Sequence, residues 1–279
     1  MLDKICELYY TCCPGGITYD ERIKSVINRS KLFTRELDGK LVGAAAVTEN
    51  KIAFVCVHPN YRRRGIGTAL FAECEEYVKS QGYDSVQMYG IKDYITPGAP
   101  IYEGNIDFFT KLGYIHTWGE DECVDMAASL ENYSHSEYKL GDTVDGITYR
   151  LATPADRENV LECVTDALED FREYYTNPEL YNGDFPEMIV AAFDGDLAVG
   201  ALLVECYSKD SGSVGCTSTR HSHRGRGVAT TMVKVGTRHL ADNGVKSAWL
   251  GFTYTGIIPM YGKSGYKVSM KYFMGRKSL

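Results

Sequence analysis

Arg62-Arg63-Arg64-Gly65-Ile66-Gly67 decides the reading of this chain, because it returns as Arg224-Gly225-Arg226-Gly227-Val228-Ala229. Each copy follows an apolar, strand-like run (Ile52 to Val57; Val214 to Thr219) and opens an amphipathic, helix-like run. Glycine lets the backbone approach a ligand closely and turn its N–H groups towards it. Several such groups at a helix N-terminus, with the positive end of the helix dipole behind them, form an anion site. Flanking arginines add charge-assisted hydrogen bonds. Two phosphate-cradling turns are therefore expected. The first runs through Arg62, Arg63, Arg64, Gly65, Ile66, Gly67 and Thr68, and the second through Arg224, Gly225, Arg226, Gly227, Val228, Ala229 and Thr230.

The pattern around the turns repeats as well. In the first half, a helix is expected over Leu2 to Cys12 and a hairpin over Lys31 to Leu37 and Leu41 to Glu49, closed by Asp38-Gly39. After the first turn, Ile66, Ala69, Leu70, Cys74, Tyr77 and Val78 keep helical spacing up to Gly82. Ser85 to Tyr89 reads as a strand, Thr96 to Gly104 as a loop, Asn105 to Leu112 as a short helix and Cys123 to Leu130 as the closing strand. The second half reads as a strand (Ile147 to Ala152), a helix (Asp156 to Tyr175) and a hairpin (Met188 to Phe193 with Leu197 to Cys206). After the second turn come a helix ending near Gly244, a strand (Ser247 to Phe252), a short helix (Ile258 to Ser264) and a last strand (Val268 to Phe273). The first half has no counterpart to the strand Ile147 to Ala152, so its sheet is either truncated or completed by another segment. An α/β fold of two domains follows, 1–132 and 147–279, joined by the polar linker 133–146.

Composition narrows the function. The 279 residues suit two domains, and 44% hydrophobic with 24% charged residues is ordinary for a globular chain with a real core. A formal net charge of −7 argues against a general nucleic-acid or membrane-surface binder. No run of about 20 apolar residues predicts a membrane span, and Met1-Leu2-Asp3-Lys4 lacks the layout of a secretion signal. Nine cysteines are scattered, several inside apolar runs (Cys56, Cys206, Cys216), without a Cys-x-x-Cys pair. A reducing cytoplasm and no metal are expected. Nothing here sets the oligomeric state.

Neither turn fits the commoner nucleotide motifs. The third glycine of a dinucleotide-binding turn is replaced by Leu70 and Met232, and neither copy has the Gly-Lys-Ser/Thr of a P-loop. What remains, Arg-x-x-Gly-x-Gly/Ala between strand and helix, resembles motif A of the GNAT superfamily of N-acetyltransferases. Phe109-Thr110-Lys111-Leu112-Gly113-Tyr114 and Tyr261-Gly262-Lys263-Ser264-Gly265-Tyr266 resemble that family's aromatic-x-Lys-x-Gly-aromatic segment, one behind each turn. The resemblance covers nearly the whole chain as a tandem. It implies two GNAT-like domains, each a mixed, mostly antiparallel sheet flanked by helices, and acetyl-coenzyme A as cosubstrate with coenzyme A as product. It also implies that Val55, Cys56 and Val57, and Cys216, Thr217, Ser218 and Thr219, meet the pantetheine arm through their backbone.

The resemblance further implies a tyrosine at the position of Tyr261 that protonates the departing thiolate. Phe109 stands there in the first half, which favours the second half for the chemistry. Glu205, at a strand end beside the cosubstrate strand, is the first candidate base, with His221, His223 or a water relay as alternatives. Glu169 to Glu187, carrying Tyr174, Tyr175 and Tyr181 among carboxylates, suits a cationic amine, and Tyr94 to Tyr102 is its counterpart in the first half. The expected activity is acetyl transfer to a primary amine of a small molecule. A coenzyme A-binding regulator without turnover, or transfer to a protein or an antibiotic, is the alternative.

Overall fold

The computed structural model describes residues 1–13, 20–88, 95–102, 105–206 and 208–279. In chain order the elements are α1 (Leu2–Cys12), α2 (Asp20–Asn28), β1 (Lys31–Leu37), β2 (Lys40–Thr48), β3 (Lys51–Val57), α3 (Ile66–Ser80), β4 (Ser85–Gln87), β5 (Ala99–Pro100), α4 (Ile106–Lys111) and β6 (Ile115–His116). There follow β7 (Cys123–Ser129), β8 (Thr143–Val144), β9 (Ile147–Leu151), α5 (Arg157–Ala167), β10 (Glu187–Asp194), β11 (Leu197–Cys206) and β12 (Gly212–Thr219). The last are α6 (Val228–Asp242), β13 (Ser247–Tyr254), α7 (Ile258–Gly262), β14 (Lys267–Phe273) and β15 (Gly275–Ser278). Among the described residues no helix is long and apolar enough to cross a membrane.

Packing divides the chain into two compact units, Met1–Val124 with Ser269–Leu279, and Asp125–Val268. The sheet of the first unit has the order β1-β2-β3-β4-β15-β6, antiparallel except for β3 with β4. Its first hairpin turns on Asp38 (φ 51°) and Gly39 (φ 73°), the two left-handed residues that a tight hairpin demands. Along β2, Ala44 and Ala46 are buried with α1 and α2, while Ala45 and Val47 are buried with α3. Alternation thus serves two covered faces, and the small side chains let both helix layers come close.

In the second unit β13, β12, β11, β10, β9 and β8 lie side by side, with β12 and β13 parallel. Gly236 of α6 sits where a Cβ would come within 2.7 Å of Leu202 and 3.0 Å of Val204, so glycine is what allows α6 to lie on β11. In both sheets the parallel pair joins only over a short register, Lys51↔Gln87 in one and Gly212↔Ala248 with Ser213↔Trp249 in the other.

Besides the unexpected helix α2 and the short strands β5, β6 and β8, three features depart from the sequence reading. Cys123–Ser129 is a strand, but from Asp125 onward it belongs to the second unit, where Asp125 Oδ1 accepts from the Phe252 N–H at 3.2 Å. Gly275–Ser278 is an unexpected strand, paired with β4 at Lys277↔Val86 and with β6 at Gly275↔His116. It completes the first sheet, and its polar Gly-Arg-Lys-Ser sequence hides it. The expected helix over 156–175 is broken: α5 stops at Ala167, Leu168 is extended (φ −166°, ψ 104°), and 3-10 turns cover Glu169–Tyr175. Tyr89 of the expected strand lies outside the described residues. So does the 103–104 part of the expected loop.

Asp156 organises the entry to α5. Its carboxylate accepts both guanidinium nitrogens of Arg150 (2.7 and 2.8 Å), the Thr153 N–H (2.8 Å) and the Thr153 hydroxyl (2.6 Å). The hydrogen bonds from Arg150, then those from Thr153, hold this carboxyl well below the usual carboxylate range against the opposing effect of burial. A group with a depressed folded pKa contributes stability above its unfolded value of about 3.9 and loses it as pH falls towards the folded one. Asp156→Asn is expected to lower stability by about 2 kcal/mol at pH 7. In urea unfolding followed by circular dichroism, that difference should shrink progressively below about pH 4.

Candidate active site

Both glycine turns form as helix mouths. Gly65 (φ 79°) and Gly227 (φ 82°) are the N-cap residues of α3 and α6, and no side chain caps either helix. Nothing lies within 4 Å of where a Cβ would stand at Gly65, Gly225 or Gly227. The first-turn N–H groups, Ile66 to Thr68 and Val228 to Thr230, are the orphan donors that every helix start presents.

The arginines divide in role. Arg62 donates from Nε to the Val57 carbonyl (3.0 Å) and from Nη2 to the Cys12 carbonyl (3.4 Å). Arg224 does the same to Thr219 (3.3 Å) and Ala167 (2.8 Å). Both guanidinium groups, expected on phosphate, tie the strand end before their turn to a helix C-terminus, β3 to α1 and β12 to α5. Arg64 lies over the Tyr61 ring at 5.2 Å, and Arg63 lines the cavity described next. Arg226 is 3.7 Å from Asp194, which also meets His223 Nε2 at 3.1 Å. The second turn thus carries a carboxylate beside its remaining cation.

A cavity of about 620 Å³ opens in the first unit, running from the turn residues Arg63 and Gly65 to Thr68, along Phe54 to Val57 of β3, to Tyr102, Phe108 and Phe109. Cys12, Cys13 and Cys56 stand on its wall. The thiol of Cys56 is pushed well up by its hydrogen bonds with Cys12 and Cys13, and then by burial. The Cys12 thiol is shifted down, chiefly by the hydrogen bond from Cys56, with help from the Arg62 charge and the Val57 backbone and against burial. Burial, then the neighbouring Cys13, raises the Tyr102 phenol. Sequence reading placed Cys56 inside an apolar run and gave Cys12 and Cys13 no role. The signal it passed over was position, an adjacent pair ending a helix and a third cysteine one residue from the end of β3.

The second unit treats the equivalent region differently. Tyr261 is 6% exposed, its hydroxyl 3.0 Å from Thr217 Oγ1, and burial raises its phenol. Tyr175, fully buried, donates to the Cys216 carbonyl at 2.7 Å, and Tyr181 donates to the Tyr175 carbonyl at 3.0 Å. Of the three tyrosines expected to face an amine, Tyr175 and Tyr181 are therefore core residues, while Tyr174 is exposed. Cys216 itself is left-handed (φ 49°) where the β11–β12 register slips, and Ser218 Oγ returns to its carbonyl at 3.2 Å. Glu205 is hydrogen-bonded by Ser213 and faces Glu187 across the strand pair. Ser213 and Thr217 are four residues apart on β12, about 13 Å along a strand, so Glu205 and Tyr261 are not brought together. His221 is occupied by Asp166, whose carboxylate accepts its backbone N–H at 2.8 Å. In the first unit Phe109 stacks on Phe273 at 5.4 Å, and Tyr94 lies outside the described residues.

Comparison with known proteins agrees with this geometry. A family model described as "Acetyltransferase (GNAT) family" matches residues 2–114, and one described as "FR47-like protein" matches 190–274. An uncharacterized N-acetyltransferase of Methanocaldococcus jannaschii is 29% identical over 135 residues, 40% of this chain and 56% of that protein; the chain thus spans about half the length of this curated relative. Among solved structures, a GCN5-related N-acetyltransferase from Sphaerobacter thermophilus is similar with a TM-score of 0.71 at 20% identity, over 99% of this chain and 91% of that one. A tandem GNAT protein from the clavulanic acid biosynthesis pathway gives 0.69 at 16% identity, over 99% and 93%. A glucosamine N-acetyltransferase region of a fungal multi-domain enzyme gives 0.75 at 19% identity, over 99% of this chain and 36% of that one. With two glycine-mouthed helices, each behind a strand that parts from its parallel neighbour, the chain belongs to the GNAT superfamily of N-acetyltransferases as a tandem, two-domain member.

Proposed function

We propose that this protein moves an acetyl group from acetyl-coenzyme A to a primary amine of a small molecule, and that the cleft of the first unit is where transfer happens. One observation carries this reading: the continuous cavity from the Gly65 turn, past the end of β3, to Tyr102. The matching strand of the second unit has Tyr175 and Tyr261 bonded at Cys216 and Thr217. This reverses the preference drawn from Tyr261 and Phe109. A second reading keeps the chemistry in the second unit, favoured by the hydroxyl that Tyr261 has and Phe109 lacks. The repeats 1–132 and 147–279 are proposed as the two family domains, and the abundance of unpaired cysteines supports a reducing, cytoplasmic setting.

The residues present fit the cosubstrate. Uncapped amides of Ile66, Gly67 and Thr68, with Arg63 beside them, would hold the pyrophosphate. The backbone of Val55, Cys56 and Val57 would meet the pantetheine. When bound, acetyl-coenzyme A supplies the activated thioester. The apolar wall of Phe54, Phe108 and Phe109 excludes water from the cleft. Tyr102, its phenol raised by burial, keeps its proton throughout neutral pH and offers a hydrogen bond rather than a charge. An alkyl amine with a pKa of about 10.4 arrives protonated at pH 7. Its proton leaves through water at the open end, so turnover should rise with pH.

Two pairs of variants test the assignment. Valine at a φ of 79° is strained by about 1–3 kcal/mol and covers the amides, so Gly65→Val should abolish most acetyl-coenzyme A binding by calorimetry and most thiol release. Gly227→Val, equally strained, should keep turnover; the opposite pattern moves the chemistry to the second unit. Tyr261→Phe should leave kcat within about twofold of the parent, because one neutral hydrogen bond in a packed core is worth about 1 kcal/mol of stability rather than a catalytic proton. A loss of about a hundredfold or more, the size of a general acid's contribution, restores Tyr261 to the mechanism.

A further inference from the structure

The cavity of the first unit continues past the strand residues assigned to the pantetheine. Val55 to Val57 lie next to the turn, whereas Ile52, Ala53 and Phe54 extend the same wall by about 10 Å along a strand. β3 and β4 pair at Lys51↔Gln87, so the splay between them narrows towards Ile52 and Met88. The lining at that inner end is Ile52, Phe71, Met88 and Phe109, all buried and all in one apolar cluster. The two charged residues among the described lining, Arg62 and Arg63, both belong to the turn.

Aromatic rings brace this end. Phe71 meets Phe108 at 5.7 Å and Phe109 at 6.0 Å between ring centres, and Phe109 stacks on Phe273 at 5.4 Å. Packed interiors leave few spaces larger than a water molecule, and a space walled by hydrocarbon stays dry and takes apolar guests. Phe109 matters twice over. In the second unit Tyr261 stands in its place, with its hydroxyl 3.0 Å from Thr217 Oγ1. A phenol at position 109 would add a polar group to the wall; phenylalanine keeps it hydrocarbon.

We infer that the first cleft selects acyl-coenzyme A thioesters whose straight hydrocarbon tail is longer than acetyl, the tail lying among Ile52, Phe71, Met88 and Phe109. This rests on the first cleft being the cosubstrate site, and it concerns the acyl group selected rather than the reaction. The amine nitrogen bonds to the thioester carbonyl carbon, the carbon–sulfur bond breaks, coenzyme A leaves as thiolate, and the amine gives its proton to water. Methylenes remote from these atoms are bound equally before and during transfer, so a longer tail lowers KM rather than raising kcat.

Calorimetric titration of the full chain with acetyl-, butyryl- and hexanoyl-coenzyme A tests this. Each buried methylene is worth about fourfold in affinity, so affinity should rise at each step and reach at least about tenfold for hexanoyl over acetyl. Met88→Phe, which fills the inner end, should lower the hexanoyl-to-acetyl affinity ratio by about tenfold. Phe109→Tyr, a smaller change that serves if Met88→Phe does not fold, should lower the same ratio by about fivefold or more. Affinity that is flat or falls from acetyl to hexanoyl, or a gain with tail length that both variants leave intact, overturns the inference and leaves acetyl as the group carried. Acetyl-coenzyme A affinity unchanged in Gly65→Val overturns the functional reading itself, whatever the dependence on tail length.

Discussion

A guanidinium bridging two backbone carbonyls holds each glycine turn in place. Arg62 joins the last residue of β3 to the last residue of α1, and Arg224 joins Thr219 to Ala167 in the same manner. Helix ends leave carbonyls without partners, and a strand leaving its neighbour leaves more. One planar cation satisfies both and thereby fixes the angle at which strand, turn and following helix meet. The amides of α3 and α6 are aimed by this clasp, and so is the opening beyond the parallel strands. Substituting lysine would keep the charge but lose the fork geometry that reaches two acceptors at once.

From this shared frame the two units diverge through their aromatic residues. In the first, the face of β3 near the turn looks into a cavity bordered by Phe54, Phe108 and Tyr102. In the second, Tyr175 reaches from the 3-10 segment after α5 to the Cys216 carbonyl, and Tyr261 reaches Thr217 from α7. A buried phenol must find an acceptor, and the unpaired edge of a splayed strand is a ready supply. Tyr175 takes a backbone carbonyl of that edge, whereas Tyr261 meets the side-chain hydroxyl of Thr217. Duplicated folds can keep architecture while assigning the site to one copy.

Much of the architecture was legible in the residues. Apolar periodicity located α1, the β1–β2 hairpin, β11 and both turn-opening helices, because each has one or two covered faces that impose a regular pattern. The exchange of terminal strands was not legible: Gly275-Arg276-Lys277-Ser278 has no alternation, and its place is set by partners at Val86 and Ile115 far back in the chain. At the site, the turns announced themselves through glycine, whose left-handed conformation few residues share. Arg62 and Arg224 were read by charge alone, and charge does not say whether a guanidinium meets phosphate or carbonyl. The cysteines escaped because a thiol on a cavity wall and one in a core look identical without the third dimension.

Strand β15 carries a consequence for biosynthesis. The first sheet is hydrogen-bonded through residues 275–278 between β4 and β6, so during translation it cannot close until those residues, far downstream of β4, have left the ribosome. Closing so long a loop carries an entropic cost that grows only slowly with length, yet contacts this distant in sequence slow folding. The nascent first unit therefore waits with β4 lacking one neighbour, an exposed edge. Its cleft is bordered by Ala99 and Pro100, which pair with Phe273 and Tyr272. Maturation of the cleft is thus tied to synthesis of a segment that lies far outside the turn motif itself.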